Sequence, residues 1–318
     1  GCGGMARHHL KTLTQMPEVQ IAALVEPDPA QLSKTLEGFP ILAPLPVFAD
    51  LSHLIREGFE LDAVHLDTPH ANHIIVIKAA FESGWHVLTE KPLTTSIQDC
   101  QDAIAARDQS GKVGLLSYQR HYQGTYLTIR ERILSGDLGT VQYVSAFLCQ
   151  EWNRFTIGSW RQEPEISGGG MLLDSGSHML DVLLWSTGLQ AETVSAFIDY
   201  RKRPVEINST VNVRFKGGAL GSLAVVGDAQ HWQEEFTIWC ERGSLFVRDG
   251  KLTEVDEKGQ ASLVDTSSED GNPNQCFVAA ILRGVPVESP FECGLRVMEL
   301  TEGAYRSGLN GGAPIHVS

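Results

Sequence analysis

The spacing of apolar positions changes rhythm near residue 118. Before that point, short apolar runs at 19–25, 62–67, 86–89 and 113–117 alternate with helix-like stretches at about 4–16, 50–57, 69–83 and 96–109. Runs rich in Val, Ile and Leu suit strands covered on both faces, so the alternation predicts βαβ units in a doubly wound parallel sheet. Thr68-Pro69 marks one helix start, because Thr can cap and Pro is tolerated at the first helical position. After residue 118 the pattern predicts a helix at 122–135, a long strand at 141–151 and a helix at about 174–187. From 191 to 265, successive strands with short glycine turns, among them 211–215, 220–226, 235–240 and 244–249, predict antiparallel pairing. Helices at about 273–284 and 291–309 and a strand at 314–317 complete the pattern. The fold class is α/β, with a parallel domain over 1–118 and an α+β domain with a large open antiparallel sheet over 119–318.

Length agrees with two domains, since 318 residues provide for two cores. With 25 Lys+Arg against 39 Asp+Glu the formal charge is −14, and no basic cluster interrupts it. That balance argues against nucleic acid or an anionic membrane as partner. No apolar stretch approaches the roughly 20 residues of a membrane helix, and no signal peptide is expected before the first domain. The six cysteines form no CxxC pair, and they are read as free thiols packed in a reducing cytoplasm.

The first residues, Gly1-Cys2-Gly3-Gly4-Met5-Ala6, fit G-x-G-x-x-[GA]. Small residues there let the backbone turn tightly against a pyrophosphate, which the next helix meets with its N-terminal amides. Glu26 follows 20 residues after Ala6 at the end of the next apolar run, where a ribose hydroxyl partner belongs. These features predict a Rossmann dinucleotide-binding domain. A carboxylate at Glu26 would repel the 2′-phosphate of NADP, which favours NAD; Asp28 is a rival for the role. The strand that should lead into the loop is not in the chain, and further residues are expected before Gly1.

Two segments carry the chemistry. Glu90-Lys91-Pro92 follows the apolar run 86–89, at the strand end where substrates of open α/β sheets bind. Further on, Gly168-Gly169-Gly170 leads to Asp174, His178 and Asp181. If helical, Asp174 and His178 are i, i+4 neighbours, and a His with a carboxylate partner suits general base chemistry. Asp181, among leucines, reads as structural or capping.

These residues resemble the Gfo/Idh/MocA oxidoreductases. The resemblance rests on the glycine loop, Thr68-Pro69 with His73, the stretch Gly84 to Leu93 containing Glu90-Lys91-Pro92, and the stretch from Trp160-Arg161 through Gly168-Gly169 to Asp174, His178 and Asp181. It extends to residues 297–308. It implies reversible hydride transfer between NAD(P) and a secondary alcohol or ketone of a sugar, cyclitol or related polyol. It further implies a homodimer or homotetramer formed through the C-terminal sheet. By this resemblance His178 is the acid/base, Asp174 positions substrate or tunes His178, and Lys91 hydrogen-bonds the reacting oxygen. Gly1, Gly3, Gly4, Met5, Ala6, Glu26, Thr68, Pro69, His73, Glu90 and Lys91 would face the cofactor, with Asn72 beside His73 near the nicotinamide. Lys91-Pro92 is a candidate cis peptide.

Two departures stand out. Glu26 replaces the usual Asp, and residues 118–122 read Tyr-Gln-Arg-His-Tyr where an Arg or Asn followed by an aromatic is common. Arg120 is either a substrate or cofactor contact or a surface residue. Trp152, Arg154, Trp160 and Arg161, with Asn153, suit a polyhydroxylated substrate or, equally, the packing of a lid. His65, His70 and His73 lack the companions of a metal site, so none is expected. A second class of function stays open: a dinucleotide-binding sensor or regulatory subunit, or an enzyme using bound NAD transiently for glycoside cleavage or epimerisation.

Overall fold

The computed structural model describes residues 1–266 and 270–317. In the first third, parallel strands Ala63–Leu66, His86–Thr89 and Gly114–Leu116 form one sheet in that spatial order. Leu24–Val25 pairs in parallel with Val47–Phe48 in a separate two-stranded sheet. The apolar run 19–25 thus narrows to a two-residue strand. The structure also holds a second short strand and a helix, Pro29–Gly38, that the apolar rhythm does not mark. Asp28 starts that helix by accepting the Ala30 amide at 2.8 Å, with Pro29 at its first position.

Other helix boundaries agree within a few residues. Gly4–Leu13, Leu51–Arg56 and Ile97–Ser110 form where expected; Ser96 accepts the Asp99 amide as cap of the last, and Gly111 ends it in the left-handed region. The stretch 69–83 divides into a 3₁₀ turn His70–Asn72 and an α-helix His73–Glu82. Thr68 does not cap it: its Oγ is buried with no partner.

A nine-stranded sheet dominates the second part. Taken in chain order, its strands are Val141–Cys149, Ala191–Asp199, Asn208–Phe215, Leu220–Val226, Gln233–Cys240, Gly243–Arg248, Lys251–Asp256, Ala261–Leu263 and Ile315–His316. Strand Asn208–Phe215 alternates buried and exposed positions, the mark of a sheet with one covered and one open face. Pairing is antiparallel with one exception. Val141–Cys149 inserts between Leu220–Val226 and Gln233–Cys240, and it runs parallel to the former. Those two later strands are therefore not a hairpin, and the sheet is mixed where pure antiparallel pairing was expected. Helices Gly176–Thr187 and Phe291–Leu309 cover the inner face, packing Leu180, Leu183, Val297 and Met298 against Val194, Val211 and Val225 in one apolar core.

The chain then returns to its beginning. Helix Pro273–Arg283 places Phe277 against Leu88 and Leu115 of the parallel sheet. Burying aromatic and aliphatic surface there contributes on the order of 1.5–3 kcal/mol per side chain. Among the described residues, no helix is long and apolar enough to cross a membrane.

Candidate active site

The glycine loop is the N-terminal end of helix Gly4–Leu13, whose cap residue, Gly3, supplies no side-chain hydrogen bond. The first amides of any α-helix have no intrahelical acceptor, so they face outward, ready for an anion. A Cβ at Gly3 or Gly4 would meet nothing within 4 Å, whereas one at Gly1 would lie 2.5 Å from the Asp67 carbonyl oxygen. Gly1 is small because the Asp67 backbone, just past the strand Ala63–Leu66, is close; Gly3 and Gly4 border open space. Met5 is exposed beside them and Ala6 is buried beneath. Glu26 lies against the loop, accepting the Cys2 amide at 2.6 Å through Oε2 and the Asp28 amide at 2.9 Å through Oε1. Thr68 Oγ and Asp67 Oδ1, next to Gly1, are buried without partners. Open space at the loop, outward amides and orphaned acceptors at the strand ends fit a dinucleotide.

Lys91 follows two residues after the end of the strand His86–Thr89, and the Lys91–Pro92 peptide is cis. Its Nζ donates to Asp174 Oδ1 at 2.5 Å and to the Asp174 carbonyl at 3.0 Å, joining the two parts of the molecule. The other carboxylate oxygen accepts from Trp152 Nε1 at 2.8 Å and Arg161 Nε at 3.1 Å. Burial alone would raise the Asp174 pKa, but Lys91, His70 and Arg161 outweigh it and hold the carboxyl well below its usual range. The carboxylate stays ionised, matched by two cations.

His178 is arranged differently from expectation. Asp174 lies in a stretch of turns ahead of the helix, which begins only at Gly176; the Gly176 amide reaches back five residues to the Met171 carbonyl, out of α-helical register. The carboxylate turns to Lys91, Trp152 and Arg161, and no hydrogen bond joins it to His178 among the described residues. His178 packs edge-on against Tyr118 at 5.9 Å between centroids, with Nδ1 buried and unpartnered. Burial, reinforced by Lys91 and Arg120, holds its pKa well below the ordinary imidazole value. The ring is a neutral base at physiological pH.

The remaining residues divide into those near Asp174 and those turned elsewhere. Arg161 stacks on Trp160 at 4.5 Å, and His70 meets the same indole edge-on at 4.7 Å. His70 donates from Nδ1 to the Ser167 carbonyl, and burial pushes its pKa down to about 3. Arg120 pairs with Glu234, leaving one guanidinium nitrogen buried and free. Arg154 is exposed and pairs with Glu151; no ion pair joins it to Asp174 among the described residues. His73 is fully buried, one nitrogen facing the Pro92 carbonyl and the other that of Thr68. Glu90 turns inward: Oε1 meets His9 Nε2 at 2.9 Å and Oε2 accepts the Lys91 amide at 3.2 Å. Asp181 is buried against His121 Nε2 at 2.7 Å.

Motif reading missed His9, whose Nδ1 meets Asn274, and the contact of His65 with Asp67. His9, His65 and Asp67 come together, as do His121, Asp181 and Cys293, with ligand-type atoms within 4.8 Å in each group. In the first group each imidazole nitrogen already has a protein hydrogen-bond partner. His121 is likewise held at both nitrogens, by Asp181 and by the Glu288 carbonyl.

Comparison with known proteins decides the family. Residues 1–118 match the oxidoreductase family with an NAD-binding Rossmann fold, and residues 126–246 match the GFO/IDH/MocA C-terminal domain. The chain belongs to the Gfo/Idh/MocA oxidoreductases. Members with assigned activities include a 1-carboxy-3-chloro-3,4-dihydroxycyclohexa-1,5-diene dehydrogenase from Comamonas testosteroni, 27% identical across 79% of this chain and 64% of that protein's length. A dTDP-3,4-didehydro-2,6-dideoxy-alpha-D-glucose 3-reductase from Saccharopolyspora spinosa is 24% identical across 92% of this chain and 90% of the relative. Among solved structures, the WlbA dehydrogenase from Bordetella pertussis, in complex with NADH and UDP-GlcNAcA, superposes with a TM-score of 0.86 over 100% of this chain and 97% of that one, at 22% identity. That likeness establishes the shared fold. This family member is thus an oxidoreductase with an NAD-binding Rossmann domain followed by a large mixed sheet.

Proposed function

We propose that this oxidoreductase transfers a hydride between NAD and a secondary alcohol or ketone carbon of a sugar, cyclitol or related polyol. The observation that carries the reading is the buried 2.5 Å contact between Lys91 and Asp174 beside a neutral His178, at the carboxyl ends of the parallel strands. Relatives named for a dideoxyglucose nucleotide and for a dihydroxycyclohexadiene support a ring bearing hydroxyls as substrate.

The nicotinamide, when bound, supplies or accepts the hydride. His178 takes the hydroxyl proton on Nε2, since Nδ1 is buried and closed off. Lys91 donates a hydrogen bond to the reacting oxygen, and its charge favours alkoxide character there. Asp174 holds the Lys91 ammonium in place, while Trp152 and Arg161 fix the carboxylate from behind. Trp160 and Arg161 offer a stacking face and donors for substrate hydroxyls.

Glu26 selects NAD over NADP in this reading. Its carboxylate already accepts the Cys2 amide, which fixes its charge where a 2′-phosphate would sit. Glu26→Ser is expected to improve NADP affinity by about tenfold or more, the scale of removing one like-charge contact of over ~1.4 kcal/mol. Titration with both cofactors measures it, and unchanged NADP affinity would take Glu26 out of the selection.

Subunits pair through the open sheet face. Trp239, Tyr143 and Leu220 stand in register across three neighbouring strands, all exposed, and an apolar row of this kind suits burial in a homodimer or homotetramer. Buried free cysteines suit a cytoplasmic setting.

Absorbance of reduced nicotinamide, followed with NAD and a panel of polyols and sugars, tests the proposal. Reduction with at least one member is expected. Silence across the panel, with NAD binding shown by a thermal shift, would overturn it in favour of a non-redox use of the cofactor.

A further inference from the structure

Three consecutive amides of the loop that carries Asp174 donate to one residue. Gly170 N–H reaches Glu206 Oε2 at 2.7 Å, Met171 N–H reaches the Glu206 carbonyl at 3.0 Å, and Leu172 N–H reaches Oε1 at 3.0 Å. Tyr305, on the helix Phe291–Leu309, adds its hydroxyl to Oε1 at 2.8 Å. Glu206 is 3% exposed, and burial raises its pKa against the lowering effect of these donors. Glu206 forms no ion pair among the described residues; such a buried carboxylate needs several donors, and here they are backbone amides of the active-site loop and one tyrosine.

The glycines of that loop show how closely it is gripped. A Cβ at Gly168 would lie 2.4 Å from Thr95, one at Gly169 2.2 Å from the Tyr305 hydroxyl, and one at Gly170 2.0 Å from the Glu206 carbonyl. Each glycine is pressed by a different part of the molecule. From this grip hang the turns that place Asp174: its amide bonds to the Gly170 carbonyl at 2.9 Å and the Gly176 amide to that of Met171 at 2.8 Å. The next residue, Ile207, accepts the Gly227 amide, and the Gly227 carbonyl accepts that of Asn153, next to Trp152. Glu206 and Ile207 thereby hold both Asp174 and the segment that bonds to its far oxygen.

We infer that Glu206 is a positioning residue for hydride transfer, acting through the loop to set where Asp174 meets Lys91. The inference rests on the proposed function for its rate readout and on geometry for the rest. Substitution by Gln separates this role from simple packing. A Gln oxygen at the Oε1 position keeps Leu172 and Tyr305, but its NH₂ then confronts the Gly170 N–H, so one named bond is lost with volume unchanged.

Glu206→Gln is expected to lower kcat by about 10–10²-fold, the scale of a misplacement near 1 Å, with the Kd for NAD unchanged. Amide hydrogen exchange should accelerate in residues 168–174 and stay as in the parent over strand 86–89. Tyr305→Phe removes only the hydroxyl and should move both readouts the same way by less, which keeps the inference testable if the Gln variant folds poorly. Unchanged kcat with unchanged loop exchange would overturn it. So would faster exchange throughout the protein with kcat per folded molecule preserved, the signature of packing alone. If no polyol or sugar of the panel lets the parent protein reduce NAD, the proposed function fails, and loop exchange alone still decides the part played by Glu206.

Discussion

His178→Ala is expected to lower kcat for hydride transfer by about 10²–10⁴-fold, the usual contribution of a positioned acid/base. The dissociation constant for NAD should hold, because among the described residues no hydrogen bond or ring contact joins His178 to the loop at 1–6, Glu26 or Thr68. The pH profile adds a second check. Burial, with Lys91 and Arg120 beside it, keeps the ring neutral and Asp174 only partly offsets them, so the folded-state pKa lies well below 6.5. The parent rate should therefore stay level as pH falls through 6.5, with any acidic limb from this ring displaced to lower pH. A full rate in the alanine variant would remove His178 from the chemistry.

Lys91→Met should cost both rate and stability. It keeps much of the length and apolar stem of Lys but, among the described residues, leaves Asp174 with Arg161 as its hydrogen-bonded cation, in a site where the two paired side chains are 12% and 7% exposed. Breaking one side of a buried pair typically costs about 3–5 kcal/mol, and Arg161 should hold the loss to the lower end. Rate should fall by about 10²-fold or more as the oxygen-directed donor disappears. Chemical denaturation and steady-state kinetics read the two effects separately. Restoring stability with Lys91→Met/Asp174→Asn, while the rate stays low, would show that the pair's charge balance and its chemistry are distinct. A single variant as stable as the parent would show that the pair carries no net folding energy.

The sequence made the site's vocabulary readable but not its grammar. Local signals, such as the glycine turn before Gly4–Leu13 and the strand before Glu90-Lys91-Pro92, depend on nearest neighbours and appear where the pattern puts them. Asp28-Pro29 was a legible helix start that the weak apolar rhythm of Pro29–Gly38 concealed. Leu24–Val25 and Val47–Phe48 are too short for periodicity to register. The insertion of Val141–Cys149 between two later strands is a long-range pairing with no local trace.

The same limit applies at the centre of the site. Spacing placed Asp174 one turn from His178, but the partners of its carboxylate come from Trp152 and Arg161 in the preceding loop and from Lys91 across the molecule. Three glycines announce that something comes close; that it is Thr95, Tyr305 and Glu206 depends on three separate parts of the chain.

Helix Pro273–Arg283, lying on Leu88 and Leu115, changes what counts as a movable piece of this enzyme. The dinucleotide-binding unit is discontinuous: its covering comes from sequence more than 150 residues downstream of Gly114–Leu116. A graft exchanging cofactor preference between relatives by swapping residues 1–118 would sever that apolar seam and leave a foreign Phe277 contact to be repacked. The workable unit of exchange is the N-terminal segment together with its distant helix.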